Sequence, residues 1–253
     1  MNHTSTKSIS NFNYWLNHFK TNQNQFNHIT WCVHSELTSK EISIITSSIQ
    51  QFQKGENSEG KHLIQYAKQQ GDTTYLQTIK LFIKEEQKHA LVLGKYMETH
   101  KIDKIKSHWI DGVYRNLRKL SSLENSIIVL LTAEIIAAIY YIALRDCTNS
   151  KTLKAICNQI LQDEDMHINF QSYTLSHFYS NKSLISKIYS RLFHKILMIA
   201  TIMIVWLYHK DVLLNGGFSF SFFYKSVFDE FKKSEKIIKN THRYNQNTIT
   251  NLV

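Results

Sequence analysis

The sequence predicts an all-α protein, and three observations carry that expectation. No proline occurs in 253 residues, where average usage would place roughly twelve. Proline breaks helix interiors because it lacks the amide donor and clashes with the preceding turn, whereas turn-rich β architectures use it freely. Helix-start signals recur, with Thr38 followed by Glu41 and Ser121 by Glu124, the reciprocal capping-box pattern. Apolar residues recur at helical spacing, and no strand-and-turn alternation stands out. The length fits one large domain, or one domain with an appendage.

The elements follow in order. Residues 1–38 read as an N-terminal arm, partly ordered. It is rich in Asn, Gln, Ser and Thr, and MNHTSTKSISNFNYWLN lacks the apolar core of a signal peptide. The Thr38 cap opens a first helix, 39–69, with Ile45, Ile49, Phe52, Leu63 and Ala67 on one seam. Gly71-Asp72 breaks and recaps the chain, and a second helix, 73–99, turns Leu76, Ile79, Phe82 and Ile83 inward. A less regular crossover, 100–120, carries Trp109 and the basic RNLRK run.

Ser121 and Glu124 open a third helix, 122–147, and Asn149-Ser150 caps a fourth, 151–180. A fifth helix, 183–209, ends toward Asn215-Gly216-Gly217, and an aromatic-rich sixth spans 219–239. The organisation is thus an arm (1–38), two helical hairpins joined by a long crossover (39–180), and a basic, aromatic-rich C-terminal helical extension (181–253).

Charge and cysteines bound the function. Thirty Lys and Arg against twenty Asp and Glu give +10. From Asn181 onward eleven basic residues face four acidic ones, so +7 lies in the last 73 positions. Such an end suits an acidic carrier protein or an anionic membrane surface ahead of nucleic acid, or simply a solvated face. Cys32, Cys147 and Cys157 form no CxxC pair, which argues against a disulfide framework and against a zinc or rubredoxin-type site. A cytoplasmic setting is the default, with peripheral membrane association kept open. Ile196 to Tyr208 is a run of thirteen uncharged residues, short of the ~20 that a spanning helix needs. It fits a core helix, a homodimer interface or an interfacial membrane helix.

The chemistry sits in the hairpins. The second helix contains EEQKH, with Glu86 and His89 spaced i, i+3, and the fourth contains DEDMH, with Glu164 and His167 likewise. Residues three apart share a helix face, so each pair can aim two ligands at one centre. Glu134 lies within the apolar run VLLTAEIIAAIYY, where an ionised carboxylate is costly without a partner. Glu56 and Glu59 lie on the seam of the first helix.

Loop symmetry sharpens this pattern. Glu134 and Glu164 are 30 apart about Asn149, and Glu56 and Glu86 are 30 apart about Gly71. Positions equidistant from the turn of an antiparallel hairpin sit level, so each lone glutamate should face an ExxH pair. Twelve glutamates and thirteen histidines give about 0.6 chance ExxH matches, while the chain has three, counting Glu59 and His62. The motif alone is cheap; its placement opposite two interior glutamates is not.

Lone Glu, ExxH, lone Glu, ExxH along four helices resembles the ferritin-like dinuclear-iron carboxylate proteins. Glu85-Glu86 and Asp163-Glu164 are similar to the EExxH and DExxH forms of acyl-carrier-protein desaturases and related oxygenases. The resemblance covers 39–180 and implies a ferritin-like four-helix bundle with extra C-terminal helices. It also implies two iron ions, with manganese or a mixed manganese–iron pair as alternatives. Glu86 and Glu164 would bridge, His89 and His167 would be terminal nitrogen donors, and Glu134 a terminal carboxylate.

The partner on the first helix is open between Glu56, favoured by loop symmetry, and Glu59, which Tyr66 follows at the interval separating Tyr141 from Glu134; the balance tips slightly to Glu59. His62 is a supporting or surface residue. Asp163, Asp165 and Glu85 are the groups that would hold the histidines.

Three functions follow. The first is an oxygen-dependent oxidase, oxygenase or desaturase of an organic, lipophilic substrate, using dioxygen and an external electron donor. The second is a ferroxidase or peroxide scavenger, as in ferritin and rubrerythrin relatives. The third is a non-enzymatic helical interaction protein whose Glu and His residues are incidental.

Overall fold

The computed structural model describes residues 12–32, 34, 36–57, 60–106, 122–180 and 182–240. Among them every regular element is helical: α1 (Asn13–Thr21), a 3-10 turn (Asn22–Asn24), α2 (Ser39–Glu56), α3 (Lys61–Gln69), α4 (Thr73–Thr99), α5 (Leu123–Asp146), α6 (Lys151–Ser180), α7 (Leu184–Asn215) and α8 (Phe220–Lys239).

Each start has a local cause. Thr38 Oγ1 accepts from the Glu41 amide at 3.2 Å, and the Glu41 carboxylate accepts from the Thr38 amide at 2.8 Å, closing the expected capping box. The other oxygen of Glu41 accepts from the Asn149 amide at 2.8 Å, so the cap also ties α2 to the α5–α6 loop. Asp72 caps α4 by accepting from the Tyr75 amide at 2.9 Å. Ser183 and Ser219 cap α7 and α8.

Three boundaries differ from expectation. The helix foreseen over 39–69 is two helices, α2 ending at Glu56 and α3 opening at Lys61, with Asn57 and Gly60 outside the right-handed helical conformation. Gly60 adopts φ 59°, the left-handed region that disfavours other residues, and any Cβ there would collide with the Ile83 side chain. Ser121 lies outside the described residues; α5 is capped by Ser122, which accepts from the Asn125 amide at 3.4 Å. The carboxylate of Glu124 has partners on another element. It accepts from Ser190 Oγ at 2.8 Å and pairs with Lys182 at 2.5 Å, joining α5 to the start of α7. The foreseen fifth helix runs on to Asn215. Trp109 and the RNLRK run also lie outside the described residues.

Packing places α2 on α4, α5 on α6, and α4 on α6. The centre of the molecule is α5, apolar all round and buried, as a helix covered on every side must be. Ile127, Ile128, Leu131 and Ile135 are fully enclosed, and each such side chain contributes about 1.5–3 kcal/mol by leaving water. The covering layer is α7 and α8, with α7 laid across α2 and α5 and α8 across α5 and α6. Across that layer Ser48 Oγ lies 2.8 Å from both Tyr140 Oη and His209 Nδ1, and Phe52 stacks on Tyr140 at 3.4 Å. From Phe12 on, the N-terminal arm belongs to the core: α1 lies on α4 with Trp15, Leu16 and Phe19 buried.

The turn after α7 needs glycine for a steric reason. A Cβ on Gly216 would sit 2.6 Å from Ala143 Cα, so this corner packs directly on the α5 backbone. Gly216→Ala is expected to lower unfolding free energy by about 2–3 kcal/mol in urea melts. Gly55→Ala, with nothing within 4 Å of its Cβ, is expected to be neutral or stabilising by up to about 1 kcal/mol. Equal effects would contradict the close approach.

Candidate metal centre

Six side chains from α2, α4, α5 and α6 converge inside the protein. Glu56, Glu86, His89 and Glu164 each offer a ligand atom within 4.8 Å of one another, and so do Glu86, Glu134, Glu164 and His167. The two groups overlap at Glu86 and Glu164. The arrangement is therefore a pair of adjacent four-ligand positions sharing two carboxylates, with Glu56 and His89 on one side and Glu134 and His167 on the other. Glu59 lies outside the described residues. Among the described residues Glu56, the last residue of α2, enters the cluster. His62 is exposed on α3.

The histidines are held from behind by a reciprocal exchange. His89 of α4 places Nε2 3.0 Å from Asp163 of α6, while His167 of α6 places Nε2 3.1 Å from Glu85 of α4. A ring whose Nε2–H donates to a carboxylate leaves the Nδ1 lone pair for a metal. Both Nδ1 atoms point into the cluster. His89 Nδ1 is 3.8 Å from Glu86 and 3.7 Å from Glu164; His167 Nδ1 is 2.9, 3.7 and 3.6 Å from Glu86, Glu134 and Glu164. Neither Nδ1 makes a hydrogen bond, nor does either carboxylate oxygen of Glu164 or Oε1 of Glu86, although all are buried. Buried polar atoms are ordinarily partnered; these five face one another.

Asp163 and Glu85 were legible as holders of the histidines. Asp165 is not one: it is exposed, with its carboxylate on Asn169, because its position turns away from the face of α6 that carries Glu164 and His167. Sequence reasoning missed Asn22. Its amide donates to Glu85 at 3.1 Å and to Asp163 at 2.8 Å, tying together the two acids that hold the two rings. Gln159, one turn before Asp163, donates to it at 3.0 Å, a spacing the sequence does contain. Nothing distinguishes Asn22 from the other asparagines of the arm. Phe19 and Phe82 pack against the His167 ring and Phe26 against His89, walling the cluster with aromatic surface. On the far side Tyr141 Oη donates to Glu56 Oε1 at 2.6 Å.

The electrostatics are those of crowded, dehydrated carboxylates. Burial and the neighbouring charge of Glu86 push Glu56 well above the usual carboxylate range, and burial with Glu134 pushes Glu164 the same way. Burial would also lift Glu86, but the imidazole of His167 brings it below its ordinary value. Burial disfavours the cationic form of His167, yet the surrounding carboxylates raise it well above the ordinary imidazole value. Four carboxylates can balance two divalent cations, and hard oxygen donors with two imidazoles suit iron or manganese.

Comparison with models of known protein families gives no match, and comparison with curated proteins gives none either.

The raised groups set a pH dependence. Glu56, Glu164 and His167 bind protons more readily folded than unfolded, where carboxyl and imidazole values lie near 4.5 and 6.5. Their contribution to stability is complete below those values and is lost as pH rises through the raised ones. Glu86 and Asp163, held low, act in the acid range instead. The melting temperature of chelator-treated protein is therefore expected to fall as pH climbs above 6.5, with Mn2+ restoring it most at the alkaline end. Thermal melts with and without chelator check this; a metal-free melting temperature that rises across that window would contradict it.

Proposed function

We propose that this cluster holds two iron ions and that the protein is an oxygen-dependent oxidoreductase, an oxidase, oxygenase or desaturase of an organic, lipophilic substrate, built on a ferritin-like four-helix bundle. The observation that carries the reading is the pair of overlapping ligand groups with both imidazole Nδ1 atoms turned inward on the carboxylates and making no hydrogen bond. Glu86 and Glu164, common to both groups, would be shared between the two ions, with Glu56 and His89 holding one and Glu134 and His167 the other.

When bound, two ferrous ions supply two electrons to dioxygen, and an external donor restores them. The chain's own residues orient and shield. Asp163 and Glu85 accept the Nε2 protons of His89 and His167, so each ring is fixed with its lone pair inward. Tyr141 donates its phenolic proton to Glu56 Oε1 and leaves Oε2 of that carboxylate to turn toward the centre. Phe19, Phe26 and Phe82 keep water from the imidazoles, which strengthens every charge interaction within. The apolar helices beyond the four that bear the ligands support an organic substrate over iron storage, for which little more than the ligand-bearing helices is needed.

Anaerobic reconstitution with ferrous iron should load about two ions per chain, and the absorption spectrum should change on admitting oxygen. Glu134→Ala and His167→Ala are expected to lose loading while far-UV circular dichroism stays close to that of the parent. Full loading in both variants, or no iron in the parent, would overturn the proposal. Assembly into a large hollow shell that accumulates iron would favour ferroxidase chemistry at the same centre.

A further inference from the structure

Among the described residues the outer face of α7 carries most of the exposed large apolar side chains. Two of the described helices are long and apolar enough to cross a membrane; α5 is largely buried and α7 largely is not. Ile185, Tyr189, Leu192, Ile196, Ile199, Met203, Leu207 and Leu214 are all exposed. At 100° per residue they fall on one stripe along a helix about 48 Å long. From Ile196 to Tyr208 the exposed positions are Ile196, Ile199, Ala200, Met203, Leu207 and Tyr208, with no charged side chain among them. The patch continues onto α8, where Phe220 rests against Trp206 and next to Tyr224, both rings of α8 being exposed. Monomeric soluble proteins rarely expose contiguous apolar surface on this scale.

We infer that this face docks on an anionic lipid bilayer, with α7 lying in the plane of the interface. Charge identifies the partner. Lys195 and Lys210 bracket the uncharged run and Lys225 follows the aromatic turn of α8, all three exposed and without an ion pair among the described residues. The four Lys and Arg of α7 face a single acid, Asp211. An apolar face with a basic rim and aromatic residues is what an interfacial helix requires.

A second copy of the chain fits less well. A helix–helix seam is a narrow stripe closely flanked by charged positions, whereas here exposed Ile188, Phe193 and Ala200 widen the apolar face on both sides before Lys195 is reached. Pairing two such faces would also bring together two rims of one sign. α7 packs on α2 and α5 through its other side, with Met198, Ile202 and Val205 buried, so it lies against the protein rather than standing apart from it. The inference rests on this surface alone and is independent of the metal centre.

The test is co-sedimentation of the full chain with vesicles of phosphatidylcholine, alone and mixed with phosphatidylglycerol. Binding is expected on the mixed vesicles, at least about tenfold weaker on phosphatidylcholine alone, and weakened by salt. Combined Ile199→Gln, Met203→Gln and Leu207→Gln, at positions 38, 46 and 66% exposed, should weaken binding by at least about tenfold with an unchanged melting temperature. Combined Lys195→Glu and Lys210→Glu should remove the preference for phosphatidylglycerol, giving a second readout that leaves the apolar face untouched. Protein that stays in the supernatant of both vesicle types overturns the inference, as does binding that neither variant changes. A lipid-free dimer in sedimentation velocity that the triple variant dissolves, without vesicle binding by the parent, would assign the face to a second copy instead.

Discussion

The structure is organised around an electrostatic conflict. Four glutamates and two histidines occupy a dehydrated space where any two of the carboxylates repel each other strongly, since little solvent is present to screen them. A buried ionised group without compensation costs several kcal/mol, and here protons relieve only part of it, raising Glu56, Glu164 and His167. Two divalent cations would carry the charge to balance the four carboxylates. The aliphatic interior of α5, the aromatic walls and the acids behind the histidines all serve to keep that crowded group in register.

The register is achieved by repetition with exchange. Each hairpin sets a lone glutamate of its first strand of helix against an ExxH pair on its second, and the two hairpins meet at α4 and α6. There each helix supplies the acid that holds the other's histidine, Asp163 for His89 and Glu85 for His167. Breaking either contact leaves a buried imidazole free to turn and a buried carboxylate unpartnered, which is more costly than the loss of the bond itself. Asn22 spans both acids, so the segment after α1 acts as a brace across the pair. The Tyr141 phenol does the equivalent for Glu56 at the opposite edge.

Much of this was legible because it rests on local periodicity. The i, i+3 spacing places Glu86 with His89 and Glu164 with His167 on common faces, and symmetry about Gly71 and Asn149 brings Glu56 and Glu134 level with them. Helix starts at Thr38, Asp72 and Ser150 follow from side chains that reach their own backbone. What escaped depends on contacts between distant segments. The separation of α2 from α3 coincides with Gly55, Asn57, Ser58 and Gly60, a turn signal that the continuous apolar seam from Ile45 to Ala67 outweighed. The contact of Gly60 with Ile83 that fixes it is between distant segments. Asn22 reads as one polar residue of a polar arm until α1 is seen on α4. The exposed side of α7 is a property of what does not pack on it: α5 is also long and apolar enough to cross a membrane, yet its apolar stretch is 78% buried against 39% for α7.

The most direct measurement is anomalous diffraction at the iron edge from crystals of the iron-loaded protein. The account predicts two peaks about 3.5–4 Å apart, between Glu86 and Glu164, one within bonding distance of His89 Nδ1 and the other of His167 Nδ1. No peak among these side chains, a single ion, or coordination through Nε2 with Asp163 and Glu85 displaced would contradict it.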